Sequence, residues 1–345
     1  MVAISHLQTN EKIRIVTMGC GSLPVEQVTG ILASPEVATI VGVLPASNVK
    51  GFRFLREHPA EIALLKLAAE HDLNLLDANS VNSTAFIKEL HELKPHILLV
   101  GGWSEIIKSP VLQLEDLAII NCHGSLLPKY RGACPFIATI FNGDRVTGFT
   151  FHLIDEGVDT GVILFQQELE VLEDETALGL TQRVAVNFGK TIIPVIQELK
   201  AGSIVPRKQT GETSYVPRQN PEWGWIPWNL PPNIIDQRMR ALNGFLPLAT
   251  CVDNIVVGFE SGKVVSRDFG FSTDSSLGLL SHRARIGPGI VLETGSETLL
   301  VTTLDPKYDV ELKKPVIVPA FEKIPQIQPG TQFHSLECSG VLKSA

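Results

Sequence analysis

Long hydrophobic runs are missing from this chain. None of its apolar stretches approaches the ~20 residues that a bilayer requires, which excludes a helical membrane span. Met1 to Lys12 is polar and holds no apolar core of signal-peptide length, so no secretory leader is expected. Cysteine is scarce, with five scattered residues and no Cys-x-x-Cys pair. That usage excludes a disulfide framework and suits a reduced, cytoplasmic protein. An excess of positive charge is also lacking. The formal net charge of −8 excludes a general nucleic-acid coat, although a local basic strip can sit on an acidic protein. Internal repeats and low-complexity blocks are absent. What remains, 44% hydrophobic and 19% charged over 345 residues, is the composition of a globular protein with room for two domains.

Two familiar sites are incomplete. Ile13 to Met18 reads as a strand, Gly19-Cys20-Gly21-Ser22-Leu23-Pro24 as a tight turn, and Val25 to Ala33 as a helix. That order opens a doubly wound α/β domain. The Gly19-x-Gly21 pair lacks the third glycine of a dinucleotide fingerprint, since position 24 is proline. A strand-to-helix turn is the favoured reading. His91 and His96 stand five apart with Pro95 between them, whereas a helical zinc pair needs a spacing of four. No metal is expected.

The polar chemistry concentrates where an apolar run ends. Leu117 to Ile120 reads as the end of a buried strand, and Asn121 and His123 follow at alternate positions. Residues two apart on a strand share a face, so an amide and an imidazole can enter one site. Gly124-Ser125 breaks the strand, and Pro128 and Gly132 frame a loop. A second alternating strand, Phe149 to Ile154, runs into the acidic loop Asp155-Glu156-Gly157-Val158-Asp159-Thr160-Gly161. A carboxylate beside an imidazole would orient it and favour its protonated form. A polar strand end with a hydrogen-bonded histidine is the bland alternative.

Asn-x-His-x-Ser-Leu-Leu-Pro-x-x-Arg-Gly followed by Asp-Glu-Gly-x-Asp-Thr-Gly resembles the folate-dependent formyltransferases. One departure is Gly124, where these families usually carry proline. The resemblance implies a catalytic trio of Asn121, His123 and Asp159. It implies 10-formyltetrahydrofolate as the formyl donor, with no metal. It places the donor against Gly101, Gly102, Trp103 and Ile107, after the apolar strand His96 to Val100, and against Ser125, Leu126, Leu127, Pro128, Asp155 and Gly157. Packing is the equal alternative for Trp103.

The same resemblance implies a Rossmann-like catalytic domain over 12–206 and a linker over 207–232. A small β-barrel-like (OB-like) domain would follow over 233–320, then a tail over 321–345. Short apolar runs at Ala249–Val252, Ile255–Phe259, Gly289–Leu292 and Leu299–Thr303 carry the β reading. Trp223, Trp225 and Trp228 suit either an aromatic platform for a base or sugar or, more commonly, residues pinned on a domain surface.

The acceptor is read first as a small-molecule amine, such as a nucleotide-linked amino sugar or an amino-acid derivative. The short polar loop at Ala46 to Phe52, with Lys50, Arg53 and Arg56 nearby, motivates this, because the tRNA enzymes of the family usually carry a longer basic insertion there. A tRNA acceptor, as in methionyl-tRNA formyltransferase, is the second reading. Hydrolysis of the formyl-folate and a paralogue without turnover are the lesser ones. A homodimer is left open, and no membrane partner is expected.

Overall fold

The computed structural model describes residues 4–218, 223–245, 248–252, 255–259, 261–266, 291–294, 298–303, 307–313, 315–316, 328 and 331–333. The chain divides into two compact units. The first holds Met1–Pro135, Arg145–Val171 and Gly179–Arg218, and the second holds Phe136–Asp144, Leu172–Leu178 and Gln219–Ala345.

The first unit is built on a six-stranded mixed sheet. Its strands are β1 (Ile13–Gly19), β2 (Ala38–Pro45), β3 (Ile97–Gly101), β4 (Ala118–His123), β6 (Val146–Leu153) and β7 (Ile163–Glu170), in the order β2-β1-β3-β4-β6-β7. β1 to β4 are parallel, and β6 and β7 run antiparallel to their neighbours. β3 is buried at every position, as a strand covered on both faces must be. Helices α1 (Ser22–Leu32), α2 (Pro59–Glu70), α3 (Thr84–Leu93) and the one-turn α4 (Ser109–Leu112) fall between the parallel strands. This is the Rossmann-like arrangement that crossover connections impose.

Local chemistry sets several element ends. Ser83 caps α3 by accepting the Phe86 N–H at 3.2 Å, and Lys94 ends it in a left-handed conformation at φ 45°. The helix after β1 begins at Ser22, earlier than the sequence suggests, because Pro24 fits a first helical turn that needs no N–H there. The loop expected at Ala46 to Phe52 is folded into 3₁₀ turns, Ala46–Asn48 and Lys50–Glu57, on which Lys50, Arg53 and Arg56 are exposed. His96 is a structural residue: its Nδ1 accepts the Arg14 N–H at 3.1 Å.

Two faces of the β4–β6 pair have different character. Asn121 stands opposite His152, and His123 opposite Thr150, so these four share one face. Cys122 stands opposite Phe151 on the other face. There, Phe149 and Phe151 pack on Phe188 of the long helix α6 (Ala177–Ala201), with ring centroids 4.6 and 5.4 Å apart. A two-stranded parallel ribbon, β5 (Arg131–Gly132) with β8 (Tyr215–Val216), completes the first unit.

The second unit contains most of α5 (Pro135–Asn142), α7 (Pro232–Leu242), a three-stranded sheet and a four-stranded sheet. The first sheet is β15-β10-β9, from β9 (Leu248–Val252), β10 (Ile255–Phe259) and β15 (Pro315–Val316). The second is β11-β14-β13-β12, from β11 (Gly262–Ser266), β12 (Val291–Thr294), β13 (Thr298–Thr302) and β14 (Tyr308–Lys313). The expected strand start at Gly289 and most of the expected tail, 321–345, lie outside the described residues. Two of the three tryptophans pack inward: Trp223 and Trp228 are buried, Trp225 is half-buried, and Trp228 Nε1 donates to Thr250 Oγ1 at 2.9 Å. Phe333, from the tail segment, packs against Trp228 and Phe259. Among the described residues, no helix is long and apolar enough to cross a membrane.

Candidate active site

Asn121 and His123 reach the same site because β4 ends between β3 and β6, at the carboxyl edge of the parallel strands. Open α/β sheets place ligands at that edge. Asp159 reaches it from the loop after β6. The three side chains converge. Asn121 Nδ2 lies 3.2 Å from Asp159 Oδ1, and His123 Nδ1 lies 3.5 Å from Asp159 Oδ2. His123 is buried, and the Asp159 side chain is 12% exposed.

The acidic loop explains its own sequence. Asp155 Oδ1 accepts the Gly157 N–H at 3.1 Å and the Thr160 hydroxyl at 2.6 Å. Gly161 lies so close to the Leu153 carbonyl that a Cβ would stand 1.7 Å from that oxygen. Asp159 adopts a left-handed backbone at φ 52°, and its Oδ2 accepts the Gly132 N–H at 2.8 Å. Gly132 is itself left-handed at φ 93°, where a Cβ would meet the Val216 carbonyl at 2.5 Å.

A second histidine joins the cluster, one that the alternating pattern of Phe149 to Ile154 does not single out. His152 Nε2 lies 3.1 Å from Asn121 Nδ2 and 3.4 Å from Asp159 Oδ1. The cross-strand register to Asn121 would have revealed it, but register is not visible in one strand alone. Backbone carbonyls fix both imidazoles. A carbonyl only accepts, so His123 Nε2 donates to Tyr130 O at 2.8 Å and leaves Nδ1 facing Asp159. Likewise His152 Nδ1 donates to Leu153 O at 2.8 Å and leaves Nε2 facing Asn121 and Asp159.

Burial, the largest effect on His123, lowers its proton affinity; His152 lowers it further, while Asp159 and the Tyr130 carbonyl pull it up. The net direction is down, so the resting imidazole is neutral rather than the cation expected beside a carboxylate. Burial alone would raise the Asp159 carboxyl. His123, His152 and the Gly132 N–H outweigh it and hold Asp159 well below the usual carboxylate range.

The other expected site residues divide. Gly101 and Gly102 end β3 and start the following loop, next to Cys122 of β4. Trp103 is half-buried against Phe52, with ring centroids 6.0 Å apart. The Ile107 side chain turns into the core at 5% exposure, and its neighbour Ile106 is the exposed apolar residue at 55%. Ile107, expected on the donor side, is therefore the buried member of the pair. Glu105 braces this loop by accepting from Ser80 Oγ, from the Val81 N–H at 3.1 Å and from Asn82 Nδ2 at 3.1 Å. Ser125 is buried, and its hydroxyl donates to Lys129 O at 2.5 Å. Leu126 is half-buried, while Leu127 and Pro128 are buried. Gln166 Nε2 holds the Leu127 carbonyl at 2.8 Å. Asp155 and Gly157 are exposed.

Chemically, the cluster offers an amide donor, a neutral imidazole with a free nitrogen and a carboxylate able to stabilise the imidazolium. That equipment suits acyl transfer. No group of three or more metal-ligating side chains occurs among the described residues.

The comparisons agree on this family of chemistry. A methionyl-tRNA formyltransferase of Methylacidiphilum infernorum is 31% identical over 84% of this chain and 86% of its own length. One from Thermodesulfovibrio yellowstonii is 37% identical over 48% of this chain, a match that spans about half (53%) of that relative. An N-formyltransferase from Helicobacter canadensis, solved with folinic acid and dTDP-3-aminofucose, superposes with a TM-score of 0.60. It covers 88% of this chain and 100% of its own, and at 20% identity the likeness is one of fold. The family model described as formyl transferase matches residues 12–205, which include the whole convergent cluster. This chain belongs to the formyl transferase family.

Proposed function

We propose that this enzyme moves a formyl group from 10-formyltetrahydrofolate to a primary amine. The observation that carries the reading is the convergence of Asn121, His123 and Asp159 at the carboxyl edge of the sheet. Gly101, Gly102, Trp103, Ser125 to Pro128, Asp155 and Gly157 form the donor side. Ile107 lines that side from the core, and its exposed neighbour Ile106 adds apolar surface. In the reaction the amine attacks the formyl carbon, and the carbonyl oxygen gains negative charge. Asn121 donates to that oxygen by giving up one of the two acceptors it holds at rest, His152 Nε2 or Asp159 Oδ1; loss of such a donor typically costs ~10²–10³ in rate. His123 Nδ1, neutral at rest, accepts the proton released by the amine, and Asp159 stabilises the imidazolium so formed. The proton then passes to the folate nitrogen as its bond to the formyl carbon breaks. The C-terminal sheets are read as a small barrel-like domain after this catalytic unit.

A small-molecule amine, of the nucleotide-linked amino sugar kind, is one acceptor reading. A methionyl-tRNA acceptor is the other, and it stands level with the first. The short basic segment at 50–57 does not set tRNA aside, because a relative named for tRNA aligns with 84% of the chain. The test is to incubate the enzyme with 10-formyltetrahydrofolate alone, with dTDP-3-aminofucose, and with methionyl initiator tRNA. Mass analysis of the products identifies the acceptor. Unchanged donor in every arm would refute formyl transfer, and release of formate without acceptor would recast the enzyme as a hydrolase.

A further inference from the structure

Gln209 touches the acidic loop from a segment that carries no recognisable motif. Its position follows from register. Arg207 bridges Ile163 of β7 in antiparallel fashion, with reciprocal hydrogen bonds of 2.8 and 2.9 Å, so Gln209 comes to lie beside Gly161. Arg131 fixes which way its amide faces. A guanidinium only donates, and Arg131 Nε and Nη2 meet Gln209 Oε1 at 3.0 and 2.7 Å. The other end is therefore the amino group. Its two hydrogens reach the Asp159 carbonyl at 2.7 Å and the Gly161 carbonyl at 2.8 Å.

Asp159 needs such a hold. Its left-handed backbone, φ 52°, is disfavoured for a residue with a Cβ. It persists only where the surroundings over-determine it. Gln209 holds its carbonyl, and the Gly132 N–H holds its carboxylate. Gly132 and Arg131 belong to the same short strand, β5, so one segment steadies both ends of the residue.

We propose that Gln209 is a positioning residue: its amide clamps the acidic loop at Asp159 and Gly161 so that the Asp159 carboxylate is presented to His123. The assignment rests on the formyl-transfer reading for its catalytic consequence, but the clamp itself is testable without substrate. A residue that merely ties down a loop would change thermal stability and leave the folded enzyme's turnover intact.

The test uses the full chain with Gln209→Leu, which removes the donors, and Gln209→Glu, which keeps the shape but turns an oxygen toward the two carbonyls. Glu also keeps a partner for Arg131, which guards against a variant that fails to fold. The first readout is the NMR titration of His123 in the unliganded protein. The groups facing that ring are Asp159, His152 and the Tyr130 carbonyl. With Asp159 displaced, His123 loses the carboxylate that pulls its proton affinity up, so it titrates at lower pH than in the wild type. The second readout is turnover with whichever acceptor the wild type formylates. A misplacement of about 1 Å can cost about 100-fold, so kcat is expected to fall about 10- to 100-fold, with the donor KM within about twofold.

An unchanged His123 titration overturns the proposal, whatever happens to kcat, because Gln209 then does not govern Asp159. A shifted titration with unchanged kcat overturns it as well. If the wild type transfers no formyl group at all, the functional reading fails separately, and the titration alone decides whether the clamp exists.

Discussion

Asn121 and His152 face each other across β4 and β6, and their side chains meet, Nδ2 to Nε2, at 3.1 Å. The second hydrogen of the same amide points at Asp159 Oδ1, 3.2 Å away. Both hydrogens of Asn121 are thus engaged at rest, and donation to the oxyanion requires that one of them be exchanged from His152 or Asp159 to the formyl oxygen. Removing one acceptor should loosen the amide without abolishing it. We expect His152→Ala to lower kcat about tenfold, and Asn121→Ala to lower it about 100- to 1,000-fold. Steady-state kinetics of the two variants settles the ranking; an equal or larger loss in His152→Ala would give His152 the chemical role.

His123 acts in the proposed transition state rather than in holding the donor. His123→Ala should therefore reduce kcat strongly and change the donor KM little. Equilibrium binding of tetrahydrofolate by the same variant provides the check. A near-normal kcat would remove His123 from the proton pathway.

The pH dependence has a definite sign. Burial holds His123 below its ordinary value of 6.5, despite Asp159. A group whose folded value is depressed stabilises the fold above its unfolded value. That contribution is lost as pH falls from 6.5 toward the lower folded value. Thermal midpoints should therefore decline below about pH 6.5. The decline should be shallower in His123→Asn, which has nothing to titrate there. The acid limb of kcat/KM should likewise lie below the ordinary imidazole value. A limb above 6.5 would mean that the imidazole rests as the cation.

Gly161→Ala tests the acidic loop. A Cβ there would stand 1.7 Å from the Leu153 carbonyl, the same oxygen that anchors His152 Nδ1. Backbone must move, so we expect about 3 kcal/mol of lost stability together with lost activity. Denaturant unfolding measures the first. A variant as stable as the wild type would show that the loop has room to shift.

What the sequence disclosed was local. Apolar runs marked β1, β3 and β4, and alternation marked Asn121 and His123 as partners on one face. The motif resemblance named Asp159 in the acidic loop, where Asp155, Gly157, Thr160 and Gly161 each have a spatial duty. What stayed hidden was non-local. Nothing in Phe149 to Leu153 says that it runs antiparallel to β4, and that direction is what sets His152 against Asn121. Nothing near Gln209 says that it will lie along Gly161, about 50 residues earlier in the chain. Ile106 and Ile107 are alike in composition, and only the path of their loop decides which one meets the core. The neutral state of His123 was equally out of reach, since it depends on how deeply the ring is buried.

The β5–β8 ribbon has a consequence in time. Tyr130 N–H donates to Ser214 Oγ at 2.8 Å, and Arg131 N–H to the Ser214 carbonyl at 3.0 Å, across more than 80 positions of chain. The order of synthesis delays these contacts, because the last strand of the sheet, β7, ends at Glu170, well before Ser214. The sheet can therefore assemble while the loop that carries the Tyr130 carbonyl and the Gly132 N–H still has no partner. A chain emerging from the ribosome would acquire its folded sheet before it acquired its reactive centre. Competence would arrive only once residue 216 had been made and had docked.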